Sequence, residues 1–211
     1  MKTNIAALLA IASLALAVGC SKNPAENVPA AEVKTPAAAA PALVPAVAKS
    51  YVFGPETSSI DFVGSKVTGS HKGGFKKFTG ELNVIGDRVV PAGNKVVIDM
   101  DSTWSDSERL TGHLKNADFF DAPKFPTATF TTTAIEKGAT NTTVTGNLTL
   151  HGVTKQISFP ADLQFTNGAV SLNAEFVLIR SDFDIKYTGK ADDLIRQEVV
   201  LKLKVSALPK G

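Results

Sequence analysis

From Phe78 to Val205 one pattern recurs, an apolar residue at every second position. Phe78, Gly80, Leu82 and Val84 alternate with Thr79, Glu81 and Asn83. Val96, Ile98 and Met100 alternate with Val97, Asp99 and Asp101, and Val144, Gly146, Leu148 and Leu150 with Thr143, Thr145, Asn147 and Thr149. The series continues through Ile157, Phe159, Ala161, Leu163 and Phe165, then Val170, Leu172, Ala174, Phe176 and Leu178, then Val199, Leu201, Leu203 and Val205. Successive side chains leave a pleated strand on opposite sides, so a period of two means strands with one buried face. Further strands near 58–69 and 127–136 bring the total to about eight. Gly86-Asp87, Lys137-Gly138 and Asn167-Gly168 supply the turn chemistry between them.

Antiparallel strands with one apolar face must bury that face and protect their edges. A single closed, all-β, eight-stranded antiparallel barrel does both. A barrel of that size is filled by its own side chains or holds one slender ligand. A two-sheet sandwich would bury the same faces. A transmembrane barrel inverts the alternation but needs aromatic girdles, and one Trp and two Tyr argue against them. Ser105 to Asn116 breaks the pattern, with capping residues at its start and Leu110 four positions before Leu114, and reads as a short helix. Ala191-Asp192-Asp193-Leu194-Ile195 reads as one further helical turn. Helix and loops are expected to cap the barrel ends.

The first fifty residues have a different character. Lys2 precedes an apolar run from Ile5 to Val18, too short to span a bilayer comfortably and typical of an export signal. Ala17-Val18-Gly19-Cys20 resembles the lipobox of bacterial lipoproteins, with the usual leucine one place earlier than in the commonest pattern, at Leu16. Cys20 is the only cysteine, so no internal disulfide can form, and lipidation accounts for the lone thiol. The expected organisation is a signal peptide over 1–19, a lipidated Cys20 with an Ala/Pro-rich disordered tether over 20–50, and a barrel domain over 51–211. Ser21 stands where an Asp tends to hold Gram-negative lipoproteins at the inner membrane, which points to the outer membrane, periplasmic face. From Tyr51 onward 18 Lys and Arg balance 18 Asp and Glu. A neutral domain offers no electrostatic case for nucleic acid.

Four stretches then look familiar. They are Gly73-Gly74-Phe75 through Phe78-Thr79-Gly80, Leu114-Lys115-Asn116-Ala117-Asp118-Phe119-Phe120-Asp121 continuing to Pro126 and Phe130, Gly146-Asn147-Leu148-Thr149-Leu150-His151-Gly152-Val153-Thr154-Lys155, and Ile179-Arg180-Ser181-Asp182-Phe183-Asp184-Ile185. In order and at natural spacing they resemble the YceI-like family. The resemblance implies a lipocalin-like barrel that binds long polyisoprenoids, including quinone tails and isoprenyl pyrophosphates, in its lumen. The family commonly has Gly where this chain has Asp184.

Twelve phenylalanines supply apolar wall without polar handles. Phe62, Phe78, Phe130, Phe159, Phe165 and Phe176 sit on candidate inward faces, and Phe119 and Phe120 at a barrel end. The alternative for each is that it packs a solid core. His113 and Arg109 are candidates for a ligand head group. His71, His113 and His151 lie about forty residues apart, a spacing unlike that of zinc ligands, so no metal is expected. His151, expected in a hairpin turn, suits a structural hydrogen bond. Asp182 and Asp184 alternate at a strand end. No nucleophile elbow, phosphate loop or haem attachment sequence appears. The expected function is non-enzymatic, with no required cofactor: a lipid-anchored envelope protein that binds or carries a long apolar isoprenoid. The alternative is a structural or envelope-stress interaction protein with a filled barrel. Oligomeric state is not legible.

Overall fold

The computed structural model describes residues 22–37 and 44–211. The expected signal peptide and Cys20 lie outside the described residues. The strands are β1 (Glu32–Lys34), β2 (Lys49–Phe53), β3 (Ser59–Lys66), β4 (Gly69–Phe75), β5 (Phe78–Ile85), β6 (Arg88–Asp99), β7 (Thr103–Ser105), β8 (Thr127–Lys137), β9 (Thr142–Leu150), β10 (Val153–Thr166), β11 (Ala169–Ile179), β12 (Gly189–Lys190) and β13 (Asp193–Pro209). One helix, α1, spans Glu108–Leu114.

Eleven of the thirteen segments, all but β1 and β12, make one eight-stranded barrel because three pairs are single bent strands. β2 runs on into β3, β4 into β5, and β6 into β7. Each long strand pairs antiparallel with the next through β8, β9, β10 and β11. β13 closes the cylinder, pairing with β11 along one edge and with β3 and β2 along the other. The eight-stranded lipocalin-like barrel expected from the alternation is therefore the fold. The predicted inward residues form its core: Val144, Leu148, Ile157, Phe159, Ala161, Phe176 and Leu178 in one cluster, and Phe78, Val84 and Val170 in another. Two motif glycines seat aromatic rings on the wall. A Cβ on Gly73 would collide with the Phe62 ring, and one on Gly146 with Phe130.

Four local expectations are corrected. The helix is shorter than Ser105 to Asn116. Ser107 caps it, its hydroxyl accepting from the Leu110 N–H, and Ser105 belongs to β7. Residues 191–195 form no helical turn. Lys190 pairs with Asp193 and Gly189 with Leu194 in a tight hairpin, whose Asp193 carboxylate accepts from Lys66 and from the Thr68 hydroxyl across the barrel rim. Asp182 and Asp184 do not alternate on a strand. Arg180–Phe183 is a 3-10 turn ended by Asp184 with φ of 60°. That left-handed backbone favours Gly and tolerates Asp. His151, also left-handed at φ 51°, sits in a β9–β10 turn where its Nδ1 lies 3.2 Å from the Phe183 carbonyl.

The fourth correction concerns the tether. Residues 29–37 are not a free spacer, since they are bonded to the barrel. β1 pairs antiparallel with β10, Val33 facing Ile157. The Ala31 N–H donates to the Val177 carbonyl at 2.9 Å, and the Val177 N–H donates to the Pro29 carbonyl at 2.9 Å. Ala31 and Val33 pack against the core while Glu32 and Lys34 are exposed. A composition too apolar-poor to fold alone is ordered here by an edge it did not have to build.

Candidate functional site

The lumen is divided. At the α1 end lies a cavity of about 150 Å³, lined by Phe62, Phe75, Leu114, Phe119, Phe120, Leu148, Leu150, Leu178, Ile185, Ile195, Val199 and Leu201 among others. Among the described residues, Arg180 and Arg196 are the only polar residues lining it, and neither turns a polar atom into it. A second cavity of about 80 Å³ is lined by Phe53, Leu82, Phe130, Phe159, Leu163, Leu172 and Val205 among others. Phe159 and Phe176 stack on each other, ring centroids 4.3 Å apart and planes 11° from parallel, with Phe130 tilted against Phe159 at 5.9 Å. The cluster around that stack contributes Leu148 and Leu178 to the first cavity and Val144 and Phe159 to the second.

The candidate aromatics therefore separate into groups. Phe62, Phe119 and Phe120 line the larger cavity, and Phe130 and Phe159 the smaller. Phe176, 1 % exposed, lines neither cavity and stacks on Phe159 within the cluster that contributes residues to both walls. Phe78 and Phe165 line neither cavity. Phe78 lies beneath an open surface cleft of about 820 Å³, and Phe165 meets Tyr51 edge-on beside another of about 620 Å³. Phe53 and Phe75 are wall residues that the alternation did not single out, because both lie on bent strand segments just before a break.

The head-group candidates are not on the cavity wall. Arg109 is exposed on α1. His113 shares a 2.8 Å hydrogen bond with Asp118 through Nε2 and packs edge-on against Phe119 and Tyr187. His71 is engaged elsewhere, 2.7 Å from the Asp106 carboxylate. The Lys72 backbone N–H and then His71 hold the Asp106 carboxyl below the usual aspartate range.

The cations at the lumen are arginines instead. The ladder of β13 with β3 is broken between Ile195 and Val199. Carbonyls in and beside this bulge accept from Arg180: Nε donates to Arg196 O at 3.0 Å and Nη2 to Ile195 O at 3.2 Å, while Nη1 reaches Ile185 O at 2.8 Å. Arg180 is 5 % exposed and, among the described residues, has no carboxylate partner. Burial lowers its pKa, since a charge in an apolar setting is poorly solvated. Beside it, Arg196 Nε is buried with no hydrogen-bond partner among the described residues. The signal for Arg180 in the sequence was its position directly after a fully apolar strand end, Phe176-Val177-Leu178-Ile179. Chemically the site is an apolar slot with one buried and one half-buried arginine packed behind its wall, suited to a greasy chain.

Comparison with known proteins agrees with this geometry. The model of the YceI-like domain matches residues 51–207. A UPF0312 protein of Pseudomonas putida strain W619 is 34% identical over 136 residues, covering 60% of this chain and 70% of the relative. Protein YceI of Escherichia coli O17:K52:H18 is 34% identical over 122 residues, covering 54% of this chain and 63% of the relative. The crystal structure of BcnA from Burkholderia cenocepacia superposes with a TM-score of 0.61 at 23% identity, over 72% of this chain and 96% of that one. A polyisoprenoid binding domain from Saccharophagus degradans, implicated in plant cell wall breakdown, superposes with a TM-score of 0.61 at 17% identity, over 77% of this chain and 99% of that one. At those identities the structural likeness is one of fold, and it is the matched domain, spanning all the barrel strands from Tyr51, that places this chain in the YceI-like family.

Proposed function

We propose that this protein is a lipid-anchored envelope protein that binds a long apolar isoprenoid, of quinone or polyprenyl type, in the barrel lumen without catalysing a reaction on it. The observation that carries the reading is the larger cavity, apolar throughout except for Arg180 and Arg196. An aliphatic chain loses nothing by lying against such a wall and gains about 25 cal/mol for each Å² removed from water. Neither guanidinium turns a polar atom into the cavity, and Arg180 is engaged with three backbone carbonyls, so the slot takes the apolar part of the ligand. The Saccharophagus degradans domain of the same fold, described as polyisoprenoid binding, supports the ligand class.

At about 150 Å³ the cavity is smaller than the roughly 300–1,000 Å³ usual for a ligand pocket. It holds one end of a chain, and the rest needs the Phe159–Phe176 stack to move. The test is mass spectrometry of lipid extracted from protein purified without added ligand, followed by titration with a quinone. The expected result is a co-purified isoprenoid, or a melting temperature that rises with quinone dose. Neither lipid nor stabilisation at saturating dose would overturn the carrier reading. The tight Phe159–Phe176 stack favours the second reading, a filled barrel with a structural or envelope-stress interaction role, and that outcome would leave it standing.

Anchoring through Cys20 is tested separately. Cys20→Ser is expected to abolish incorporation of a palmitate analogue and to leave a soluble periplasmic protein or an uncleaved precursor. Equal labelling of wild type and variant would show that lipid is not attached there.

A further inference from the structure

The barrel wall is not continuous. β10 and β11 pair only from Asp162 with Asn173 to the turn at Asn167-Gly168. Before Asp162, β10 turns its ladder to β9, from Val153 to Ala161. After Asn173, β11 continues against β13 alone, to Ile179. Two facing strand edges are left without each other. The segment Pro29–Lys34 lies in the opening, bonded on one side to Val177 and on the other to Gln156, Ile157 and Ser158. Farther along, the Asn147 side-chain amide clamps Ala37, accepting from its N–H at 3.2 Å and donating to its carbonyl at 3.1 Å.

We infer that this seam is the lateral port through which a chain-like ligand reaches the lumen, and that Pro29–Lys34 is the removable wall strand that closes it. The inference rests on the carrier reading above and adds the route. Three observations converge on it. The strap pairs over three residues, whereas the permanent ladders beside it run from Val153 to Ala161 on β10 and from Val170 to Ile179 on β11. A short two-sided strand with few bonds opens at lower free energy than the wall around it. The inward side chains of the strap, Ala31 and Val33, press on the cluster that contains Phe159 and Phe176. Lifting the strap therefore loosens the packing around the Phe159–Phe176 stack, in the cluster that contributes residues to both cavity walls. The α1 end, by contrast, is closed by Leu114, Phe119, Phe120 and Ile185 packed together.

The strap also lies outside the part of the chain that the family model matches, residues 51–207. The device thus belongs to this chain's N-terminal extension. Cys20 precedes Pro29 by nine residues, a reach of at most roughly 30 Å. A port whose closing strand is tied that closely to a lipidated cysteine would open beside the bilayer that supplies the ligand.

The test is kinetic. Glu32 and Ser158 face each other across the β1–β10 ladder. The double variant Glu32→Cys, Ser158→Cys, in the full chain with Cys20→Ser so that only the engineered thiols are present, locks the strap when oxidised. Uptake and release of ubiquinone are followed by stopped flow in the oxidised and reduced protein. The expected result is a slowing of both rates by at least tenfold on oxidation, full recovery with reductant, and an equilibrium affinity within about twofold. Ala31→Pro, which removes the N–H bonded to Val177, is expected to speed both rates. Equal rates in the locked and reduced forms, with binding intact, would overturn the port and leave the carrier reading unaffected. Absence of binding in either form would overturn the carrier reading, and the port with it.

Discussion

Replacing Phe176 by Ala is expected to destabilise the barrel by about 3–5 kcal/mol and to lower its melting temperature by roughly 6–20 °C. The size of the effect follows from where the ring sits. Phe176 is 1 % exposed and lies parallel to Phe159 at 4.3 Å, with Val144, Leu148, Ile157 and Leu178 around it. Truncation removes the transfer free energy of the ring, the stacking contact, and the packing of atoms that cannot collapse inward because hydrogen-bonded strands hold them apart. The hole opens beside Phe159, which lines the smaller cavity, so it enlarges the lumen. A polyprenyl or quinone chain is therefore expected to raise the melting temperature of the variant more than that of the wild type, since a dry apolar cavity accepts an apolar guest. Thermal unfolding with and without quinone checks both parts. A loss below about 1 kcal/mol would contradict a packed stack, and equal stabilisation of the two proteins would contradict a lumen ligand. As one of several wall aromatics, Phe176 would be expected to loosen ligand retention when truncated. As a core ring stacked on the cavity-lining Phe159, it is expected to widen the site.

Arg180→Leu is expected to cost about 2–4 kcal/mol, a large effect for a change that improves apolar burial. Arg180 donates to the carbonyls of Ile185, Ile195 and Arg196. Leucine would leave those acceptors unpaired, at about 1–3 kcal/mol for each that water cannot reach, partly offset because a desolvated cation is no longer held in an apolar wall. Arg180→Lys is expected to recover only part of the loss. One ammonium at the end of a flexible stem cannot span three acceptors that a planar guanidinium reaches at once. Chemical denaturation measures the loss. Hydrogen exchange locates it, with protection expected to fall from Ile185 to Arg196 and to persist in the distant β5–β6 hairpin. A uniform loss across the barrel, or full rescue by lysine, would show that the three-point clamp is not what Arg180 contributes.

The strand faces and their closure were legible in the sequence because a buried face imposes a period of two on every strand that shares it. Val144 to Leu150, Ile157 to Phe165 and Val170 to Leu178 each point inward where the alternation put them. The turns at Gly86 and at Asn167-Gly168 were legible because positive φ selects few residue types. The strap was less so. Ala31 and Val33 alternate with Glu32 and Lys34 in the same period, but three residues of pattern carry no weight without a partner edge. That edge exists only once β10 and β11 have diverged.

The candidate site divides along the same line. That aromatic side chains face a lumen follows from local spacing, and so was open to reading in Phe62, Phe119, Phe120, Phe130 and Phe159. Which aromatics enclose space and which fill it depends on distances across the barrel, between residues far apart in the chain. Phe159 and Phe176 could not be known as a stack from their own strands. Nor could Arg180 be preferred over Arg109 and His113, since a cation's position beside a cavity is decided by the bulge on β13 and the three carbonyls that hold it. Period and turn chemistry act between neighbours and are written in the sequence, whereas cavities, seams and buried charges arise between distant segments and exist only when the barrel has closed.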